Sequence, residues 1–196
     1  MGKGRLEAFS DGVIAIIITI MVLELHVPES TDIGSLLAVL PQFSIYLLSF
    51  IFVGIYWMNH HHLLQSAKQI NGKILWANLS LLFWLSLFPF VAGWMGENLF
   101  TTLPSVAYGF VLFMAGVSYL VLQNLIISVD GKESELGKAI GNDRKGIGTA
   151  VLILVGIVFS FIWTPVSLAI YVVIALIWFI PDIRIEKAIK STKDTN

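Results

Sequence analysis

Carboxylates and imidazoles are the side chains in this sequence able to move protons or hold a metal, and two groups of them adjoin the first two apolar segments. Glu7 and Asp11 stand at the start of the first apolar segment, and Tyr56-Trp57-Met58-Asn59-His60-His61-His62 closes the second. Three consecutive histidines fan over about 200° of a helix, so they cannot all reach one metal, and no His or carboxylate follows four residues on to complete a site. A zinc site is therefore not expected. The pattern predicts one histidine turned inward, with Asp11 as a candidate partner, and the others meeting headgroups or water. No nucleophile accompanies the cluster, which argues against an enzyme. A proton-linked or proton-conducting carrier using Asp11 and His60 as a relay is an alternative reading of the same residues.

The segment that carries Asp11 is unusual in itself. Gly12 to Leu23 is a run of twelve uncharged residues between Asp11 and Glu24, whereas a helix crossing lipid needs about 20 predominantly apolar residues. Such a helix is poorly suited to facing lipid. It fits the middle of a bundle, with its charged ends in water or paired with neighbours, and that placement points to a translocation pathway.

The chain as a whole is an integral membrane protein by composition: 57% of its 196 residues are hydrophobic and 13% are charged, against roughly 25% charged in soluble domains. There is no cysteine, so disulfides are excluded. Glu7 and Asp11 interrupt the start, and Leu25-His26-Val27-Pro28 is not a small-residue cleavage site, so the first segment is expected to stay. Runs free of Asp, Glu, Lys and Arg predict helices at about 5–25, 36–64, 74–94 and 103–128. The last run, Gly146 to Pro181, has 36 uncharged residues and as one helix would reach about 54 Å, too long for a core of about 30 Å. A break at Trp163-Thr164-Pro165 divides it into helices at about 146–162 and 165–186.

The expected fold is thus an all-α membrane protein of six helices forming one domain over residues 1–196. With six spans both termini lie on one side, and all twelve basic residues, from Lys3 and Arg5 to Lys190 and Lys193, fall there. The positive-inside rule makes that side cytoplasmic. The opposite loops carry Glu29, Asp32 and Glu97, giving a mildly acidic outer mouth. The stretch from Val129 to Lys145 reads as a solvated connection. No internal repeat is evident, so an inverted-repeat transporter is not supported.

On the first helix, Arg5, Phe9, Gly12, Ile16, Ile20, Leu23 and Val27 fall within about 40° of one line, with Thr19 beside it. Ile16, Ile20 and Leu23 form successive apolar layers, which as a stripe are most simply core packing. Copies of this helix around an axis would instead make aliphatic rings that narrow a pore and gate it by dewetting, which requires an oligomer. Thr19 would then offer a hydroxyl near the constriction. Asp11 points about 140° away from Ile16, toward neighbouring helices. Asn78 and Ser80 in the third helix suit hydrogen bonds between helices.

Together, Arg5-x-x-x-Phe9-Ser10-Asp11 followed by Ile16-x-x-Thr19, then Trp57-x-x-His60, and Asn78-Leu79 with Pro89-Phe90, resemble the transmembrane protein 175 family of potassium channels. The likeness is close in the first half and rests on span count in the second; the compact length suits the bacterial form. The resemblance implies a homotetramer in the bacterial plasma membrane, with the first helix of each subunit lining a central pore. Ile16 matches the family's constriction, Thr19 the threonine linked to potassium preference, and Ile20 and Leu23 extend the apolar pathway. Arg5, Ser10, Asp11 and His60, with Phe9 and Asn78 from the same motifs, match a polar network bracing that helix. The implied activity is passive potassium conduction with weak to moderate preference over sodium. Potassium would be the permeant ion and no cofactor is expected. Its partners would be further copies, membrane lipids and monovalent cations, with no nucleic acid. His61 and His62 are not part of the family pattern, and Glu24 beside Leu23 bears on cation attraction at the outer mouth.

Overall fold

A computed structural model describes residues 2–141 and 143–179, and among them all regular structure is helical. The helices are α1 (Lys3–Leu23), α2 (Ile33–Ala38), α3 (Leu40–Ser66), α4 (Gly72–Ser86), α5 (Phe88–Glu97), α6 (Thr102–Asp130), α7 (Glu135–Ile140), α8 (Arg144–Ile162) and α9 (Thr164–Phe179). Five stretches are long and apolar enough to cross a membrane: Lys3–Leu23, Leu40–Ser66, Gly72–Glu97, Thr102–Asp130 and Arg144–Ile162. The sixth expected span, 165–186, is described only as far as Phe179, and its described part is the apolar 16-residue α9. Its remainder, with Arg184, Lys187, Lys190 and Lys193, lies outside the described residues.

Prolines divide two of the expected helices. Pro41 has no N–H to give the Leu37 carbonyl, and Pro89 has none for Leu85. The chain accordingly breaks at Val39, separating α2 from α3, and at Leu87, separating α4 from α5. At Trp163 the backbone is extended, and α8 turns into α9. Side-chain oxygens fix several starts: Asp32 accepts from the Ser35 N–H, Asn71 from Ile74 and Asp143 from Gly146. The connection expected to be solvated, from Val129 to Lys145, instead contains α7, which buries Leu136 and Ile140. Two apolar residues at a spacing of one helical turn are enough to dock so short a helix.

Helix α6 packs against α4, α5, α8 and α9, while α1 packs on α3, α4 and α5. Two tyrosines fill the centre. Tyr108 and Tyr171 are fully buried with ring centroids 5.7 Å apart. Burying a hydroxyl without a partner would be costly, and both are satisfied: Tyr108 Oη lies 3.1 Å from Ser49 Oγ, and Tyr171 donates to the Ser105 carbonyl at 3.3 Å. Tyr171 gains its seat because α6 has Gly109 and α8 has Gly156 against it; a Cβ on Gly109 would fall on the Tyr171 hydroxyl, and one on Gly156 would lie 2.7 Å from its Cε1. On the outside, Ile147, Val151, Leu154 and Val158 form an exposed apolar stripe along α8, as expected of a helix at the lipid boundary.

Gly109→Leu should therefore overpack the α6–α8–α9 junction, destabilising the protein by about 1–3 kcal/mol. Thermal unfolding of purified protein in detergent checks this, and an unchanged midpoint would show that Tyr171 can be accommodated elsewhere.

Candidate functional site

The first helix has two faces that behave oppositely. Leu6, Ser10, Ile14, Ile17 and Met21, spaced at three and four residues, are buried against α3, α4 and α5. On the other side Ile16 is 58%, Ile20 42% and Leu23 79% exposed, and Arg5, Phe9, Gly12 and Thr19 share that exposure. The stripe of Ile16, Ile20 and Leu23 is therefore not internal packing of one chain. A groove of about 460 Å³ runs beside it, floored by Val13, Ile17, Pro89 and Phe90. The Thr19 hydroxyl donates back to its own helix, lying 2.9 Å from the Ile16 carbonyl and 3.1 Å from that of Ala15. Its hydrogen is thus engaged, while its oxygen keeps acceptor capacity on the exposed face.

Behind this helix lies a buried polar network. Asn78 on α4 is its hub: Nδ2 donates to Ser10 Oγ at 3.0 Å, and Oδ1 is 2.6 Å from His60 Nε2. Ser10, His60 and Asn78 are all buried. A carbonyl oxygen only accepts, so His60 Nε2 carries the proton in this pairing. The inward histidine is thus His60, and its partner is Asn78 in place of Asp11. Asp11 accepts instead from Trp57 Nε1 at 2.9 Å. Trp57 and His60 sit three residues apart on α3, so one helix face meets Asp11 directly and Ser10 through Asn78 of α4. His61 stacks on Trp57 with centroids 6.1 Å apart. At the near end of α1, Lys3 donates to the carbonyls of Gln65 at 2.6 Å and Ala67 at 3.1 Å, capping α3. Arg5 and Phe9 are exposed and stand on the opposite face from Ser10.

Two members of this arrangement escaped the sequence reading. Trp57 stands in the sequence only as a motif residue, and its spacing to His60 is the signal that both lie on one face of α3. Lys3 carries no signal beyond charge. Among the described residues no three His, Cys, Asp or Glu side chains gather to hold a metal ion.

A bundle of long apolar helices in which one buries its polar residues inward and leaves an aliphatic stripe outward defines a helical membrane protein. Residues 5–89 match the family described as endosomal/lysosomal potassium channel TMEM175. The chain is 52% identical over 190 residues to a protein of Chryseobacterium sp. (strain P1-3) named as a potassium channel, covering 97% of this chain and 99% of that one. It is 41% identical over 96 residues to the human protein named endosomal/lysosomal proton channel TMEM175, covering 42% of this chain and 19% of the human one. Its fold matches the crystal structure of a lysosomal potassium-selective channel TMEM175 homolog from Chamaesiphon minutus, with a TM-score of 0.80, 26% identity, and coverage of 92% and 97% of the two chains. The chain belongs to the TMEM175 family of channels. These relatives carry potassium-channel and proton-channel names and are not enzymes.

Asn78→Leu should leave the His60 N–H and the Ser10 hydroxyl buried without their partner, at about 1–3 kcal/mol for each unsatisfied group. Thermal unfolding checks the loss. A variant as stable as the parent would remove Asn78 from its place as hub.

Proposed function

We propose that this protein is a potassium-permeable cation channel, assembled as a homotetramer in a bacterial plasma membrane with α1 of each subunit lining the pore. The observation that carries the reading is the exposed stripe of Ile16, Ile20 and Leu23 on a helix whose other face is fully packed. Four such stripes facing an axis form stacked aliphatic rings. When the rings are narrow, water leaves them and conduction stops; when they widen, a hydrated ion passes. Thr19, between the Ile16 and Ile20 rings, presents a hydroxyl oxygen to the ion and favours potassium weakly to moderately over sodium. Arg5 and Phe9 stand near the entrance, while Ser10, Asp11, His60 and Asn78 hold the helix's rotation from behind. With the basic loops cytoplasmic, Leu23 and Glu24 face the outer mouth.

Proton conduction is the second reading, favoured by the name of the human relative. It would draw on the residues around Asp11 and His60. The direct Asp11-to-His60 relay is not supported, because each has a different partner: Trp57 for one and Asn78 for the other.

Bilayer recording with potassium on one side and sodium on the other separates these readings. Discrete steps reversing toward the potassium equilibrium are expected, while a reversal that follows a pH gradient would favour proton conduction. Ile16→Asn should wet the narrowest ring and raise the current about two- to tenfold. Unchanged current and rectification in both Ile16→Asn and Leu23→Ala would refute the assigned constriction.

A further inference from the structure

The outer end of α1 is held by a side chain that conduction does not itself require. Gln42, near the start of α3, is 8% exposed. Its Nε2 donates to the Glu24 carbonyl at 2.7 Å, and its Oε1 accepts the His26 backbone N–H at 3.1 Å. One amide thus spans the first and third residues after Leu23, where α1 ends. The fit is close because α5 presents glycines there: a Cβ on Gly96 would lie 2.9 Å from Gln42 Cγ, and one on Gly93 would lie 3.2 Å from Glu24 Oε2.

His26 adds a second state to this clasp. Its Nδ1 lies 3.0 Å from Gln42 Nε2 and 3.3 Å from Gln42 Oε1, and its Nε2 lies 3.7 Å from Glu97 Oε1. A neutral ring can accept from the Gln42 amide through Nδ1. A protonated ring must donate through Nδ1, so it turns to Gln42 Oε1, and its charge then pairs with Glu97. Either state has partners, but only the charged one cancels a carboxylate. Glu24 and Glu97 line one hollow of about 290 Å³ with Phe90 and Trp94. The charged group against His26 is Glu97 from α5, with Glu24 on the far side of that hollow and Glu29 three residues along the same loop; α3 contributes the neutral Gln42. On the same loop, Asp32 is committed to the α2 cap, with the Ser35 N–H and then the Ser30 hydroxyl holding its carboxyl below its ordinary range. It stays ionised while an imidazole titrates, and so is not the switching group.

We propose that Gln42 is a positioning residue for the outer ring of the pathway, and that His26 with Glu97 makes cation entry fall as the outer solution is acidified. The inference rests on the pore reading above for its effect on current, and on the clasp alone for its effect on structure. Protonating His26 forms the ion pair with Glu97 and reduces the negative field at the mouth, and removing that proton restores it.

Two measurements on the full chain in bilayers and liposomes test this. Taking the outer pH from 8 to 5, which spans the range where imidazoles titrate, should lower inward potassium current about twofold. The effect should be lost in His26→Gln and in Glu97→Gln. A parental pH profile in His26→Gln would overturn the switch. Because the chain has no cysteine, Glu24→Cys provides a single thiol for an impermeant thiosulfonate added outside. Adding Gln42→Ala should speed its modification at least about threefold by freeing the end of α1. Gln42→Glu keeps the acceptor for His26 but not the donor to Glu24, and should speed it too. Equal rates in all three backgrounds would overturn the positioning role, even where Ile16 variants still change the current. Faster modification with Ile16 and Leu23 variants that conduct normally would instead fault the pore reading and leave the clasp standing.

Discussion

An amide inside a membrane has no water to fall back on, so Asn78 must find both of its partners within the protein. It finds them on two different helices, Ser10 on α1 and His60 on α3. Three helices are thereby tied through one side chain, and the rotation of α1 about its own axis is set. Turning α1 by one residue, 100°, would pull Ser10 away from Asn78 and carry Ile14 or Ile17 out of the packed interface. The outward direction of Ile16, Ile20 and Leu23 follows from that choice. Trp57 on Asp11 and Lys3 on the end of α3 hold the same rotation from the near end. What is exposed on α1 is therefore decided by what is satisfied behind it.

The remaining helices serve that arrangement by different means. Around α6 the packing is steric, with paired tyrosines seated against glycines and their hydroxyls returned to Ser49 and the Ser105 carbonyl. Beside α1 the packing is interrupted, because Pro41 and Pro89 each delete a backbone donor. Both interruptions lie on helices that touch α1 or its outer loop.

Much of this was legible in the amino-acid order, for reasons that differ by level. Membrane residence follows from composition, and the family follows from Phe9-Ser10-Asp11 with Thr19, Trp57, His60 and Asn78 at their spacings. The two faces of α1 follow from the 100° advance per residue, although exposure in a single chain is not legible from periodicity, since an apolar stripe looks the same whether it meets a core, lipid or another copy. Pairings were the weak point. Asp11 and His60 both needed partners, and charge made them attractive to each other; the structure gives each a neutral partner, because Trp57 of α3 reaches Asp11 while Asn78 of α4 stands against His60. The breaks at Val39 and Leu87 were hidden by unbroken hydropathy, which prolines interrupt geometrically without changing the apolar count. The docking of α7 was hidden because two buried side chains, Leu136 and Ile140, weigh little against the charges around them.

The continuity of α1 from Lys3 to Leu23 has a further meaning for any ion travelling along it. In an unbroken α-helix the carbonyl oxygens accept from N–H groups four residues on and point along the axis, so they do not converge into a cage around an ion beside the helix. A cation beside such a wall cannot exchange its hydration shell for a cage of backbone oxygens. It must keep most of its water, and the wall sees the hydrated ion's size and the ease with which a few waters are shed. Discrimination on that basis separates ions by small differences in hydration energy, and so favours throughput over strictness.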